Sequence, residues 1–227
     1  MNEKAKMVPV NNIMQPVETV HPAMNIHNKN YADLSKPSAY GCISGERKYH
    51  DLLLSVFQLR HRVFKERLQW DVSSINGHEI DKFDIHDTKY IITTDTESNV
   101  KGCVRILPTT SPYMLSEIFP FLWQSESPIP CSASIYELSR FAFEKEQSVK
   151  GYGFSSSVIK LLRNLILYAK DKKIEQFIFV TTTIIERMLK IQGISIERIG
   201  SEISMRNAKT VVTIMNINSQ TEKSIFG

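Results

Sequence analysis

From about residue 50 onward the chain carries two hydrophobic rhythms in turn. Leu52, Val56, Leu59 and Val63 fall at i, i+4, i+7 and i+11, and Leu53, Phe57, Arg60 and Phe64 repeat that spacing one position on, which predicts an amphipathic helix beginning near His50. Apolar runs of strand length follow at 90–94, 100–107, 135–143, 177–181 and 211–217. Between the later runs, Val158, Leu161, Leu162, Leu165 and Ala169 form a helical stripe. Thr183-x-x-Glu186 then reads as a capping box opening a helix that Gly193 closes. Strands alternating with helices in one domain predict an α/β fold, a three-layer αβα sandwich on a mixed sheet. Residues 1–45 show no sustained period and are expected to be a flexible N-terminal extension, with 46–227 as a single domain.

Charges interrupt this pattern where a core should be apolar. Arg60 sits one turn from Phe64 at the edge of the predicted helix, Arg105 lies amid Val104, Ile106 and Leu107, and Glu137 and Arg140 lie in the run 135–143. Burying an ion costs several kcal/mol, on the order of a small domain's margin, unless a partner meets it. The natural partners are Asp81 and Asp84, in a loop that also carries His78, Glu79, His86 and Asp87. Their spacing matches no calcium loop or zinc motif, so no metal is expected. Three arginines, two aspartates and a glutamate beside Phe64 and Trp70 suit a small zwitterionic substrate. Strict alternation along 135–143 places Glu137, Ser139, Phe141 and Phe143 on one face and Tyr136, Leu138 and Arg140 on the other. For Glu137 and Arg140 to serve one site, the strand needs a bulge or must border a split in the sheet.

Composition narrows the function classes. The chain has 227 residues, 42% hydrophobic and 23% charged, enough for one core of ordinary size. No apolar run reaches the roughly 20 residues of a membrane-spanning helix, so no integral membrane association is expected. Three cysteines and no apolar leader in the first thirty residues point to a reducing cytoplasm. A formal charge of +4 fits docking of an acidic partner better than nucleic-acid binding. Lys160, Arg163, Lys170, Lys172, Lys173, Arg187 and Lys190 gather in the C-terminal half, as solvated faces or as such a docking patch. Lys150-Gly151-Tyr152-Gly153 precedes a helix and reads either as free backbone amides for a phosphate or as a plain turn.

Four segments, in order, carry a family resemblance. They are Leu-Arg-x-x-Val-Phe-Lys-Glu-Arg-Leu-x-Trp-Asp-Val at 59–72, Glu-Ile-Asp-x-Phe-Asp at 79–84, Gly-Cys-Val-Arg-Ile-Leu-Pro-Thr-Thr at 102–110 and Glu-Leu-Ser-Arg-Phe at 137–141. From about 50 to about 217 the chain resembles the acyl-homoserine lactone synthases, the autoinducer synthases of bacterial quorum sensing. The family's charged and aromatic site positions are matched by Arg60, Phe64, Trp70, Asp81, Asp84, Arg105, Glu137 and Arg140. The resemblance implies a fold similar to that of the N-acetyltransferases, with a V-shaped opening expected between the strands at 100–107 and 135–143. It also implies S-adenosylmethionine and an acylated acyl carrier protein as substrates, with no bound cofactor.

Within that resemblance each residue has an expected part. Glu137 is the expected proton acceptor, with a backbone carbonyl and water as the alternative; Arg60, Asp81 and Arg140 belong to the charged machinery, and Ser139 or strand amides are the donors to the thioester oxyanion. Met114, Phe119, Phe141, Phe179 and Thr181 are expected to line the acyl pocket, and Arg187 and Lys190 to meet the carrier protein. Phe179 stands where many synthases of 3-oxoacyl products carry threonine, so an unsubstituted chain of short or medium length is expected. An acyl-CoA donor, and an ordinary N-acetyltransferase on the same fold, are the alternative readings; a regulatory protein that binds an acyl lactone, and a nucleic-acid-binding module, are the non-enzymatic ones.

Overall fold

Near-continuous burial along the central strands, whose two faces are both covered, sets the layers. The computed structural model describes residues 40–145, 154–205 and 208–227. Its strands are β1 (Cys42–Ile43), β2 (Ser74–Ile75), β3 (His78–Glu79), β4 (Lys89–Thr94), β5 (Val100–Pro108), β6 (Ile135–Phe143), β7 (Gln176–Thr182), β8 (Ile196–Met205) and β9 (Ala208–Asn216). Seven of them form one mixed sheet in the order β1-β4-β5-β6-β7-β9-β8, while β2 and β3 make a separate two-stranded ribbon. Only β6 and β7 run parallel; the other pairs are antiparallel. The helices are α1 (His50–Arg60), α2 (Met114–Glu117), α3 (Ser156–Asp171), α4 (Thr183–Ile191) and α5 (Ser219–Phe226).

One face of the sheet carries α1 and α2. There Val56, Phe57 and Leu59 of α1 pack with Tyr90, Ile92 and Cys103, and Leu115 of α2 packs with Leu107, Ile178 and Val212. The opposite face carries α3, α4 and α5, whose Leu161, Leu165, Leu189 and Ile225 cover Val104, Leu138, Phe177 and Phe179. This is the expected three-layer αβα sandwich. The structured part begins earlier than expected, because Cys42 and Ile43 pair with Ile91 and Tyr90 at the sheet edge. Those residues therefore belong to the sheet and not to an extension; residues 1–39, and the Lys150–Gly153 motif, lie outside the described residues.

Two irregularities shape the site. Between Cys103 and Arg105 on β5 the facing strand β6 has one extra residue, and Arg140 adopts a left-handed backbone at φ 54°. This bulge resets the alternation of β6. Glu137, Ser139, Arg140 and Ala142 all face the α1–α2 side, while Phe141 and Phe143 join Tyr136 and Leu138 on the other. The placement of Phe141 and Phe143 beside Glu137 is thus corrected, and the bulge, one of the two ways in which Glu137 and Arg140 could serve one site, is present.

The second irregularity is the split. β6 and β7 pair only through Ile135–Gln176, Tyr136–Phe177 and Glu137–Ile178, and then diverge although both strands continue. The opening lies between β6 and β7, not between 100–107 and 135–143 as expected. β5 and β6 instead pair from Gly102–Phe143 to Pro108–Tyr136. In a parallel pair joined by a helix, each strand is held by its outer neighbour, so the two can part without freeing a whole edge.

Candidate active site

Arg60 ends α1, and the helix continues through His61–Arg67 as a π-helical turn. Such widened turns are frequent at functional sites. Here it leads into a close in which the Trp70 amide donates to the Phe64 carbonyl at 2.8 Å, and the two rings stack at 5.1 Å and 16°. Phe64 is buried and Trp70 is 41% exposed, so the stack ends in an open aromatic face.

Beneath it lies a network of three guanidiniums and three carboxylates. Arg60 grips Asp84 with two hydrogen bonds of 2.7 and 2.8 Å and donates its Nε to Glu79 at 2.5 Å. Arg105 reaches Asp81 at 2.6 and 3.1 Å, Asp84 at 2.8 Å and the Ser139 hydroxyl at 3.0 Å. Arg140 meets Glu79 at 3.0 Å and Asp81 at 2.7 Å. Tyr90 donates to Asp84 at 2.6 Å. Each arginine also lies over a ring: Arg60 over Phe57, Arg105 over Phe83 and Arg140 over Phe64. Charges balance three against three, as buried ions require.

Glu79 is the member that sequence reasoning missed as a site residue. Three arginines against two aspartates call for a third carboxylate, whereas the partners read from the sequence are Asp81 and Asp84 alone, with Glu137 as the proton acceptor. The structure gives that place to Glu79, fully buried on β3. Glu137 stands beside the network instead. Its two oxygens accept from the backbone amides of Met114 and Leu115 at 2.9 and 2.7 Å, anchoring the first turn of α2. That anchor sets the Met114 thioether 3.1 Å from Arg105 and 3.5 Å from Arg140.

Burial and charge pull two of the buried carboxyls, Asp84 and Glu137, apart. Burial alone would raise Asp84, but the guanidiniums of Arg60 and Arg105 and the hydrogen bonds of Arg60 and Tyr90 hold it well below the usual carboxylate range. Its contribution to stability is complete above the unfolded value of 3.8 and is lost as pH falls below it. Glu137 goes the other way: burial pushes it up to about 7, only partly offset by the Met114 and Leu115 amides and by Arg105 and Arg140. Its folded form keeps a proton that the unfolded form releases near 4.5, so stability falls as pH rises from 4.5 to about 7. Glu137→Gln is expected to flatten this slope. Melting temperatures of both proteins across that range check it, and parallel curves would contradict it.

The remaining expected residues divide between the two faces. Met114 and Phe119 pack on the α1–α2 side, whereas Phe141 and Phe179 lie on the α3–α4 side, and Thr181 shares the Phe179 face of β7. They do not form one pocket on one face; only a chain passing through the split could meet both groups. Arg187 and Lys190 are exposed on α4, which begins directly after β7. The N-cap of α4 is Thr182, whose side chain accepts from the Ile185 amide at 3.4 Å, so the capping box expected from Thr183 and Glu186 is corrected by one residue. Glu186 is buried and pairs instead with Lys190 and Arg198. No helix among the described residues is long and apolar enough to cross a membrane.

Known proteins share this fold. The sequence profile of the family described as autoinducer synthase matches residues 45–225. An acyl-homoserine-lactone synthase of Aliivibrio fischeri is 40% identical over 173 residues, spanning 75% of this chain and 89% of that protein. The crystal structure of the AHL synthase LasI superposes with a TM-score of 0.72 at 34% identity, covering 82% of this chain and 94% of that one. The CoA-dependent acyl-homoserine lactone synthase BjaI, solved with SAM and isopentyl-CoA, gives a TM-score of 0.72 at 27% identity, over 81% of this chain and 85% of its own. An acyl-CoA N-acyltransferase from Pseudomonas aeruginosa, at 11% identity and a TM-score of 0.52, covering 76% of this chain and 95% of that one, shares the fold alone. The profile spans most of the described sheet and every residue of the charged network, and the chain belongs to the autoinducer synthase family of acyltransferases.

Proposed function

We propose that the chain makes an N-acyl-homoserine lactone from S-adenosylmethionine and an acyl-carrier-protein thioester. One observation carries the substrate. Within the network Arg60, Arg105, Glu79 and Asp84 have fully buried side chains, while Asp81 is 17% and Arg140 11% exposed. The site therefore presents solvent with one carboxylate and one guanidinium 2.7 Å apart, backed by fixed counter-charges. That pair complements an α-ammonium and an α-carboxylate held together, the amino-acid end of S-adenosylmethionine. The open face of Trp70 suits its sulfonium or adenine.

The reaction then has two bond exchanges. The substrate amine attacks the thioester carbon and the carrier thiol leaves; the substrate carboxylate next attacks the carbon beside the sulfonium, and 5′-methylthioadenosine departs. Before the first step the ammonium must lose a proton. Glu137 is the acceptor in this reading: its pKa near 7 suits the task, and each oxygen keeps a lone pair beyond its bond to α2. Ser139 accepts from Arg105, which leaves its own hydroxyl proton free to donate to the oxyanion, together with strand amides facing the split. Threading the acyl chain through the split puts the carbonyl between the charged face and the apolar far face, where Phe141 and Phe179 meet the chain.

The split opens toward the end of β7 where α4 starts, which favours Arg187 and Lys190 as contacts for an acidic carrier protein near the mouth. If so, the KM for the acyl carrier protein should rise steeply between low and physiological salt while that for S-adenosylmethionine changes little. An equal response of both would contradict such docking. The likeness to a CoA-dependent synthase keeps acyl-CoA as the second donor, and kcat/KM for matched acyl-CoA and carrier-bound donors separates the two.

A further inference from the structure

Three buried side-chain atoms lack a hydrogen-bond partner among the described residues: His78 Nε2, Thr93 Oγ1 and Thr213 Oγ1. Thr93 lies on β4, two strands from the split, against Gly102. His78 lies on the β2–β3 ribbon outside the sheet. Thr213 differs, because it pairs directly with Phe179 across β7 and β9 and so points to the same side of the sheet, one strand from the split. It is fully buried. Its neighbour on the other side is Arg198, whose guanidinium is taken by Glu186 at 3.0 Å and does not reach the hydroxyl. Valine would fill the same shape without a desolvated hydroxyl, and buried polar groups are nearly always paired, so the lone oxygen calls for a partner that arrives with the ligand.

We infer that Thr213 Oγ1 hydrogen-bonds an oxygen substituent near the thioester end of the acyl chain, making the enzyme selective for 3-oxo- or 3-hydroxyacyl donors. This rests on the proposed passage of the acyl chain through the split to the Phe179 side. It reverses the expectation drawn from Phe179 alone: the hydroxyl missing from β7 is supplied one strand away, at the residue paired with it.

Matched donors of one chain length, unsubstituted, 3-oxo and 3-hydroxy, tested on the wild type, Thr213→Val and Thr213→Ser decide the matter. The wild type and Thr213→Ser should prefer an oxygenated donor. Thr213→Val should lose about tenfold in kcat/KM on that donor alone and melt no lower than the wild type, since an unpaired hydroxyl has been removed. The donor on which the loss falls identifies the oxygen recognised. An equal loss on all donors with a lower melting temperature would make the hydroxyl structural and overturn the inference. A wild type that uses only unsubstituted donors overturns it too while leaving the synthase reading intact, whereas no lactone from any donor overturns both.

Discussion

Glu79→Gln should destabilise the fold by about 3–5 kcal/mol, the cost of removing one partner from a buried ion network. Glu79 meets Arg60 and Arg140 with its carboxylate fully buried, so the amide would leave one positive charge uncompensated and turn a donor toward two donors. A loss of that size is a large part of the stability of an ordinary domain. Urea unfolding midpoints at constant m-value measure it. A change under about 1 kcal/mol would show that Glu79 is not a fixed member of the network.

Asp81→Asn should separate chemistry from folding. Asp81 is the most exposed of the three carboxylates, and Arg105 and Arg140 keep Asp84 and Glu79 as partners, so the stability loss should be smaller than at Glu79. kcat/KM for S-adenosylmethionine, however, should fall about 100-fold, the scale for losing one side of a desolvated charge pair with a ligand. A variant that loses stability and keeps its kcat/KM would place the substrate amine elsewhere.

Much of this site was legible because buried charge violates a local pattern. Arg60 and Phe64 announced themselves by helical spacing, and Arg105 by three apolar neighbours. Glu79 was hidden by an inversion: it is buried while the isoleucine beside it, Ile80, is 38% exposed, so polarity pointed the wrong way. Charge balance was the signal available: three arginines exceed Asp81 and Asp84 by one. The sheet's five inner strands followed from apolar runs. β8 did not, since most of its residues are exposed and its register shifts between Ile199 and Ile203 around Gly200 at φ 71°. The position of the split was likewise out of reach, because pairing partners depend on the crossover through α3 and not on any one strand's composition.

In the proposed reaction, acylation of the substrate amine and closure of the lactone occur on one enzyme. Purified protein given S-adenosylmethionine and an acyl-carrier-protein donor should release N-acyl-homoserine lactone and 5′-methylthioadenosine in equal amounts, as quantified together by mass spectrometry. An N-acylated product formed without methylthioadenosine would contradict the account and make the chain an ordinary N-acyltransferase.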